Sequence, residues 1–267
     1  MFYPGDAGEL ARDVTALLAA AKPLPGRPKA LIVPHAGYIY SGPIAASAFT
    51  AFLTPRRFAS LRAPAEPGLA IAPFAKDITR VVLLGPAHRE FVEGFAHPDA
   101  RAIASPLGSF AIDVDALAAL GIRGNASAHA REHCLEVMLP FLSILMPHAT
   151  LIPLIGSRSS PEETGRLLEA LWGGSETLIL ISSDLSHHLP YDRARERDAK
   201  TAARILALDT TLAGDDACGS LAIDGLTWLA TKKAMRVEKL DLRNSGDTAG
   251  DRARVVGYGA FAFHEAA

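Results

Sequence analysis

Residues 1–267 read as a single α/β domain in which helices flank a central, mostly parallel or mixed sheet. Three observations predict this class. Short apolar runs alternate with helical stretches along the whole chain. Several of those runs, such as Leu31-Ile32-Val33 and Val81-Val82-Leu83-Leu84, are apolar at successive positions, as strands buried on both faces require. Three runs end in histidine, and the carboxyl ends of strands are where such folds place their ligands.

Leu10, Val14, Leu17 and Leu18 share a face, so residues 7–21 form a first helix. Pro23, Pro25 and Pro28 end it and lead to a strand at 30–33. His35-Ala36-Gly37-Tyr38 is a turn. Ser41-Gly42-Pro43 starts a helix to about Leu53, with serine as cap and proline in the first turn. Prolines and small residues over 54–77 predict a long loop with room for one short strand. A strand at 80–84 comes next, then short antiparallel strands and turns over 89–110 and a helix from Asp113 to Leu120. Glu132 to Leu145 reads as a helix with Leu135, Met138, Leu139 and Leu142 inward, bent or restarted at Pro140. Next are a strand at 150–155, a helix from Pro161 through Leu171 and a strand at 177–182. The charged stretch Tyr191 to Lys200 leads into a helix with Ile205 and Leu208 buried. A helix over 220–234 and strands at about 235–240 and 253–263 complete the pattern.

Composition narrows the function classes. Hydrophobic residues make up 49% of the chain, which argues against disorder. With 27 basic and 29 acidic residues the formal charge is −2, so nothing draws the chain to nucleic acid. Lys232, Lys233, Arg236 and Lys239 form a solvated face on one late helix. Two cysteines make no disulfide framework and indicate a reducing compartment. Asp6, Glu9 and Asp13 near the start exclude a signal peptide of ordinary pattern. No apolar run reaches the length of a membrane span, and a cytoplasmic location is expected.

The histidines carry the chemistry. His35, His88 and the pair His187-His188 each come after an apolar run. A metal needs a neutral ring nitrogen facing inward and an outer partner on the other nitrogen. Adjacent strands lie roughly 5 Å apart, so imidazoles from two or three strand ends can meet at one ion. Each histidine taken singly reads equally as a polar cap on its strand. Asp184 can orient an imidazole, and His187 can transfer protons near neutral pH. His133 and Glu136 are spaced to share one helical face. They suit a ligand with its supporting carboxylate, a hydrogen bond to substrate, or an ordinary pair at a helix start. Ser182, Ser183 and Ser186 lie beside histidines, but no Gly-x-Ser-x-Gly elbow accompanies them. Cys218 precedes Gly219 where a helix begins, which favours a thiolate; an inert buried thiol is the alternative. No phosphate-binding glycine motif is present. Phe2-Tyr3-Pro4 either tucks against the domain near the site or frays. His97, His129, His148 and His264 lack matching contexts and read as surface or structural.

Motifs in order along the chain resemble the Memo-like protein family, including the proteins called AmmeMemoRadiSam system protein B. They are Phe2-Tyr3-Pro4, Val33-Pro34-His35-Ala36-Gly37-Tyr38, Leu84-Gly85-Pro86-Ala87-His88, Glu132-His133-x-x-Glu136, Ser182-Ser183-Asp184-Leu185-Ser186-His187, Cys218-Gly219, Asn244-Ser245-Gly246-Asp247 and Val256-Gly257-Tyr258. That family is similar in fold to the class III extradiol dioxygenases, non-haem Fe(II) enzymes. The resemblance implies that His35 and His88 are metal ligands and that His187 is the acid/base. The dioxygenases use a late carboxylate as third ligand, and some Memo proteins have cysteine there. This chain has no cysteine at that point, and Asp247 would restore a site of two histidines and one carboxylate. His133 would assist catalysis, and Tyr38, Glu136, Asp184, His188 and Cys218 would support the ligands or line the substrate. The implied activity is that of a metal-binding, dioxygenase-like oxidoreductase acting on an unknown small molecule, with Fe(II), or else Zn(II) or copper. The alternative is a non-enzymatic module whose groove binds a peptide or partner protein. The family's association with radical SAM and AMMECR1-type proteins implies a shared pathway.

Overall fold

The computed structural model describes residues 2–54 and 69–266. The strands are β1 (Ala30–Val33), β2 (Arg80–Pro86), β3 (Phe95–His97), β4 (Ala102–Ser105), β5 (Gly108–Ala111), β6 (Arg123–Gly124), β7 (Thr150–Gly156), β8 (Thr177–Ser182), β9 (His187–Leu189), β10 (Arg236–Asn244) and β11 (Val255–His264). The helices are α1 (Ala7–Ala20), α2 (Tyr38–Phe49), α3 (Val114–Ala119), α4 (Ala126–Ala130), α5 (Leu139–Leu145), α6 (Pro161–Ala170), α7 (Tyr191–Leu206), α8 (Ser220–Lys232) and α9 (Ser245–Thr248).

One mixed sheet runs through the molecule in the order β10-β11-β1-β8-β2-β7-β3-β6, with β9 paired to β11. Its centre, β1-β8-β2-β7, is parallel. On one flank β11 and β10 run antiparallel; on the other β3 is antiparallel to β7. The class and the mixed sheet match the expectation from sequence. The successive apolar positions have a direct reason. In β1, Leu31 and Val33 enter one core while Ala30 and Ile32 enter the other. Val81 and Leu83 of β2, and Leu178 and Leu180 of β8, share the first core; Val82, Leu84, Ile179 and Ile181 share the second. Helices α1, α2 and α5 supply Leu10, Phe49 and Phe141 to the first face. Helices α6, α7 and α8 supply Leu168, Ile205 and Leu226 to the second. A buried side chain of this size gives about 1.5–3 kcal/mol, so both faces hold the sheet.

The order β1-β8-β2 decides where two histidines emerge. Register pairs Val33 with Ser182, and Leu84 with Ile181. The segments after β1 and β2 therefore leave the same sheet edge on either side of β8, bringing His35 and His88 toward one another.

Several expectations are corrected. Helix α2 starts at Tyr38, ahead of Ser41, because the Tyr38 N–H donates to the Phe2 carbonyl, a partner far away in sequence. Ser41 donates its hydroxyl to the Ala36 carbonyl and Pro43 sits inside the helix. The region from Glu132 is not one helix: a 3₁₀ turn over Glu136–Met138 precedes α5. The Glu132 carboxylate accepts the backbone N–H groups of His133 and Cys134, which holds this segment in a turn. The charged stretch from Tyr191 is itself helical, and Leu208 lies beyond α7, half-buried with φ 57°. Of the loop over 54–77, residues 55–68 lie outside the described residues; Leu53 bridges Ile71, and Pro73–Asp77 is a 3₁₀ turn.

Candidate metal centre

His35 is reached two residues after β1 and is 1% exposed. Its backbone N–H donates to Asp184 Oδ1 at 2.8 Å, which ties it to the segment after β8. Its Nδ1 lies 2.7 Å from Ser182 Oγ. Ser182 Oγ also lies 2.6 Å from the Cys134 carbonyl, which can only accept. The serine hydrogen therefore goes to that carbonyl, and Ser182 accepts from His35 Nδ1–H. This bonding fixes the tautomer and leaves the lone pair on Nε2. His88 stands beyond β2 in the same way. Its Nδ1 donates to Glu132 Oε1 at 2.9 Å and its backbone N–H to Glu132 Oε2 at 2.7 Å. Glu132, with a side chain 2% exposed, so holds a proton on His88 Nδ1 and makes Nε2 the ring atom open to a metal.

The third imidazole is His133. The ring centroids of His35 and His88 are 5.2 Å apart, those of His35 and His133 5.5 Å, and those of His88 and His133 5.1 Å. One ring nitrogen of each lies within 4.8 Å of the others. His88, Glu132 and Cys134 form a second possible donor set. It suits a metal less well: Glu132 already accepts from four N–H groups, and the Cys134 thiol points at the Pro86 carbonyl. Burial pushes the Cys134 thiol well above its ordinary value, away from the thiolate a metal needs. Three imidazoles, two with their outer nitrogens held, fit a borderline divalent ion.

The electrostatics agree. Burial, then the nearby His88 and His133, lower His35 well below an ordinary imidazole. Burial also lowers His133, against the opposing pull of Glu132. Burial alone would raise Glu132; the hydrogen bonds from His88, its charge, and the Cys134 N–H outweigh this and hold the carboxylate below its usual range. Asp184 is pushed up to about 6 by burial, against the His35 N–H and attraction to His187.

The other expected site residues are divided between the cluster and more distant positions. Cys218 Sγ lies 3.4 Å from His35 Nε2, and burial, then repulsion from Asp184, pushes it up to about 12. It is therefore a neutral thiol beside that nitrogen, its S–H reaching the Asp184 carbonyl at 3.6 Å, and the thiolate alternative is corrected. Asp247 is not brought to the histidines. Its Oδ1 accepts the Tyr191 hydroxyl and its Oδ2 accepts the Asn244 N–H, capping α9. His133 and Glu136 do not share a helical face, and Glu136 accepts the Tyr3 hydroxyl instead. Tyr38 is buried and donates to the Val137 carbonyl. His187 and His188 are exposed on β9, their rings 6.0 Å apart, with His188 at φ 59°. Sequence reading missed Glu132 and Ser182 as the groups that hold two imidazoles. Glu132 stands next to His133, but nothing local shows that it folds back toward His88. A groove of about 860 Å³ lies between α1, α2 and β10 and contains none of the histidines. The donor chemistry, and not the volume, marks the candidate site.

Comparison with known proteins agrees with the motifs. The family model described as Memo-like protein matches residues 1–61 and 68–262. A MEMO1 family protein of Ignicoccus hospitalis is 32% identical over 293 residues, covering 98% of this chain and 95% of the relative. One from Methanopyrus kandleri is 30% identical over 295 residues, with the same coverages of 98% and 95%. One from Aquifex aeolicus is 30% identical over 273 residues, covering 96% and 94%. With the family model matched over residues 1–61 and 68–262, this chain belongs to the Memo-like family.

Proposed function

We propose that His35, His88 and His133 hold one Fe(II) ion and that the protein is a dioxygenase-like oxidoreductase acting on an oxygen-bearing small molecule. The observation that carries this reading is the convergence of three imidazoles, two with Nδ1 held by Ser182 and Glu132 so that Nε2 is the atom available to a metal. Imidazole donors also accept Zn(II) or copper; the fold likeness to extradiol dioxygenases that the motif resemblance implies is the reason for putting Fe(II) first. When bound, the ion would supply redox or Lewis-acid chemistry to an oxygen of the substrate.

The remaining roles belong to the chain. Ser182 and Glu132 hold protons on the Nδ1 atoms of His35 and His88. Burial keeps His35 neutral, so no proton competes for its Nε2 near neutral pH. The exposed ring of His187 exchanges a proton between a ring nitrogen and the substrate, with solvent as the reservoir. Asp184 anchors the His35 backbone and attracts His187.

Protein purified without a histidine tag, loaded anaerobically with Fe(II) and freed of excess metal, tests the reading. Wild type should retain about one iron per chain by elemental analysis. H88A and H133A should lose most of it and D247A should keep it. Absence of iron in wild type overturns the reading; loss in D247A equal to that in H88A returns the carboxylate to the ligand set.

A further inference from the structure

Ser182 fixes the His35 ring and Glu132 fixes the His88 ring, each through a hydrogen bond to Nδ1. His133 has no such bond among the described residues. Its Nδ1 is 3.4 Å from Glu132 Oε1, and that oxygen already accepts from His88 Nδ1 and from the N–H groups of His133 and Cys134. Something else must set the plane of this imidazole.

The Phe2–Pro4 segment supplies it. The Phe2 ring lies on His133 at 4.3 Å between centroids and 11° between planes. His133 in turn stacks on His88 at 5.1 Å and 17°. Phe2, His133 and His88 form one column of nearly parallel rings, and His35 meets both imidazoles edge-on at 80° and 88°. The column is tied at its outer end. The Phe2 carbonyl accepts the Tyr38 N–H at 2.8 Å, and the Tyr3 hydroxyl donates to Glu136. Tyr3 also packs on Tyr38 at 5.5 Å. Phe2 is thus clamped between the start of α2 and the turn that carries His133, although it is 37% open to solvent.

We propose that Phe2 is the positioning residue for His133, its ring face setting the plane that hydrogen bonds set for the other two imidazoles. The consequence for metal affinity rests on the proposed metal site; the ring placement does not. An aromatic stack adds about 0.5–1.5 kcal/mol beyond burial, which corresponds to roughly two- to tenfold in affinity.

The test uses the full chain with F2L, which keeps bulk without an aromatic face, and F2W, which restores the face. In metal-free protein, His133 ring protons under the Phe2 face should resonate upfield by NMR. F2L should abolish that shift and F2W should keep it. Titration with Co(II) alone should show F2L binding roughly two- to tenfold more weakly, with an altered cobalt absorption band, and F2W close to wild type. His133 resonances unchanged in F2L overturn the proposal. So does a changed resonance with cobalt affinity and band like wild type. Wild type that takes up no cobalt overturns the metal reading, and the His133 resonances alone then decide for or against Phe2.

Discussion

Glu132 places a single carboxylate behind His88 and beneath the backbone of the His133 turn, so one side chain serves two members of the cluster. Substitution E132Q keeps the shape but turns an amide N–H₂ toward a set of N–H donors. Supporting groups of this kind change metal affinity by about 10–100-fold. Cobalt titration of E132Q should show a loss of that order, and denaturant melts should show destabilisation of about 1–3 kcal/mol from the unsatisfied donors. The buried His35 ring gives a second prediction. Burial and two neighbouring imidazoles lower it well below the ordinary value, so its NMR resonances should not titrate between about pH 8 and about pH 6. A midpoint near about 6.5 would contradict the buried, neutral ring. At this scale the sequence was informative where chemistry is local. His35 and His88 stand at the ends of apolar runs and were legible. Asp247 is engaged elsewhere by a local capping box with Asn244, whose Asn-x-x-Asp spacing is a sequence signal, and by a bond from the distant Tyr191, which is not.

Strand β2 ends against the turn that carries His133, and Gly85 sets how closely they approach. A Cβ at Gly85 would meet Cys134 Sγ at 2.7 Å and Leu135 Cδ2 at 3.1 Å, with Ser182 Cβ at 3.4 Å. The substitution G85A must push the turn outward, and His133 travels with it. Overpacking of this sort costs about 1–3 kcal/mol. The expected outcome is a lower melting temperature with weakened cobalt binding; wild-type values for both would show that the turn yields without moving the ring. Element boundaries were legible where both ends had local signals. The strand at 30–33, the strand at 177–182 and the helix opened by Pro161, with its Ser160–Glu163 capping box, lie where periodicity and caps place them. Of the boundaries that differ, those at α2 and before α5 are set by the Phe2 carbonyl and the Glu132 carboxylate. Propensity windows carry no information about such partners. Among the described residues β10 is an outer strand of the sheet, and it carries Arg236, Glu238, Lys239, Asp241 and Arg243 and a register shift between Lys239 and Asp241, features that discourage edge-to-edge pairing.

For the molecule as a whole, the class and the two-faced core could be read from runs such as Val81 to Leu84, because burial on both faces leaves a compositional trace. The strand order could not, since nothing in the sequence states that β8 lies between β1 and β2. Global stability senses the site through Asp184. Its folded-state proton affinity is raised to about 6 by burial, above the ordinary aspartate value. The stability it contributes is therefore full below about pH 4 and declines as the pH rises through about 6. In D184N that decline is absent. The unfolding free energy of D184N minus that of wild type should grow from about pH 4 to about pH 7 in urea titrations. A difference that stays flat over that range would mean that Asp184 does not titrate differently on folding.

The three imidazoles come from chain segments after β1, after β2 and before α5, and each is oriented by a partner from elsewhere in the chain. No short stretch of nascent polypeptide carries the whole chelating set. Unlike a zinc finger, whose closely spaced ligands let the ion organise the peptide, this architecture would have to be finished before the proposed site could take up an ion. On the proposed metal reading the folded, metal-free protein would be the acceptor, and loading of metal would follow completion of the fold.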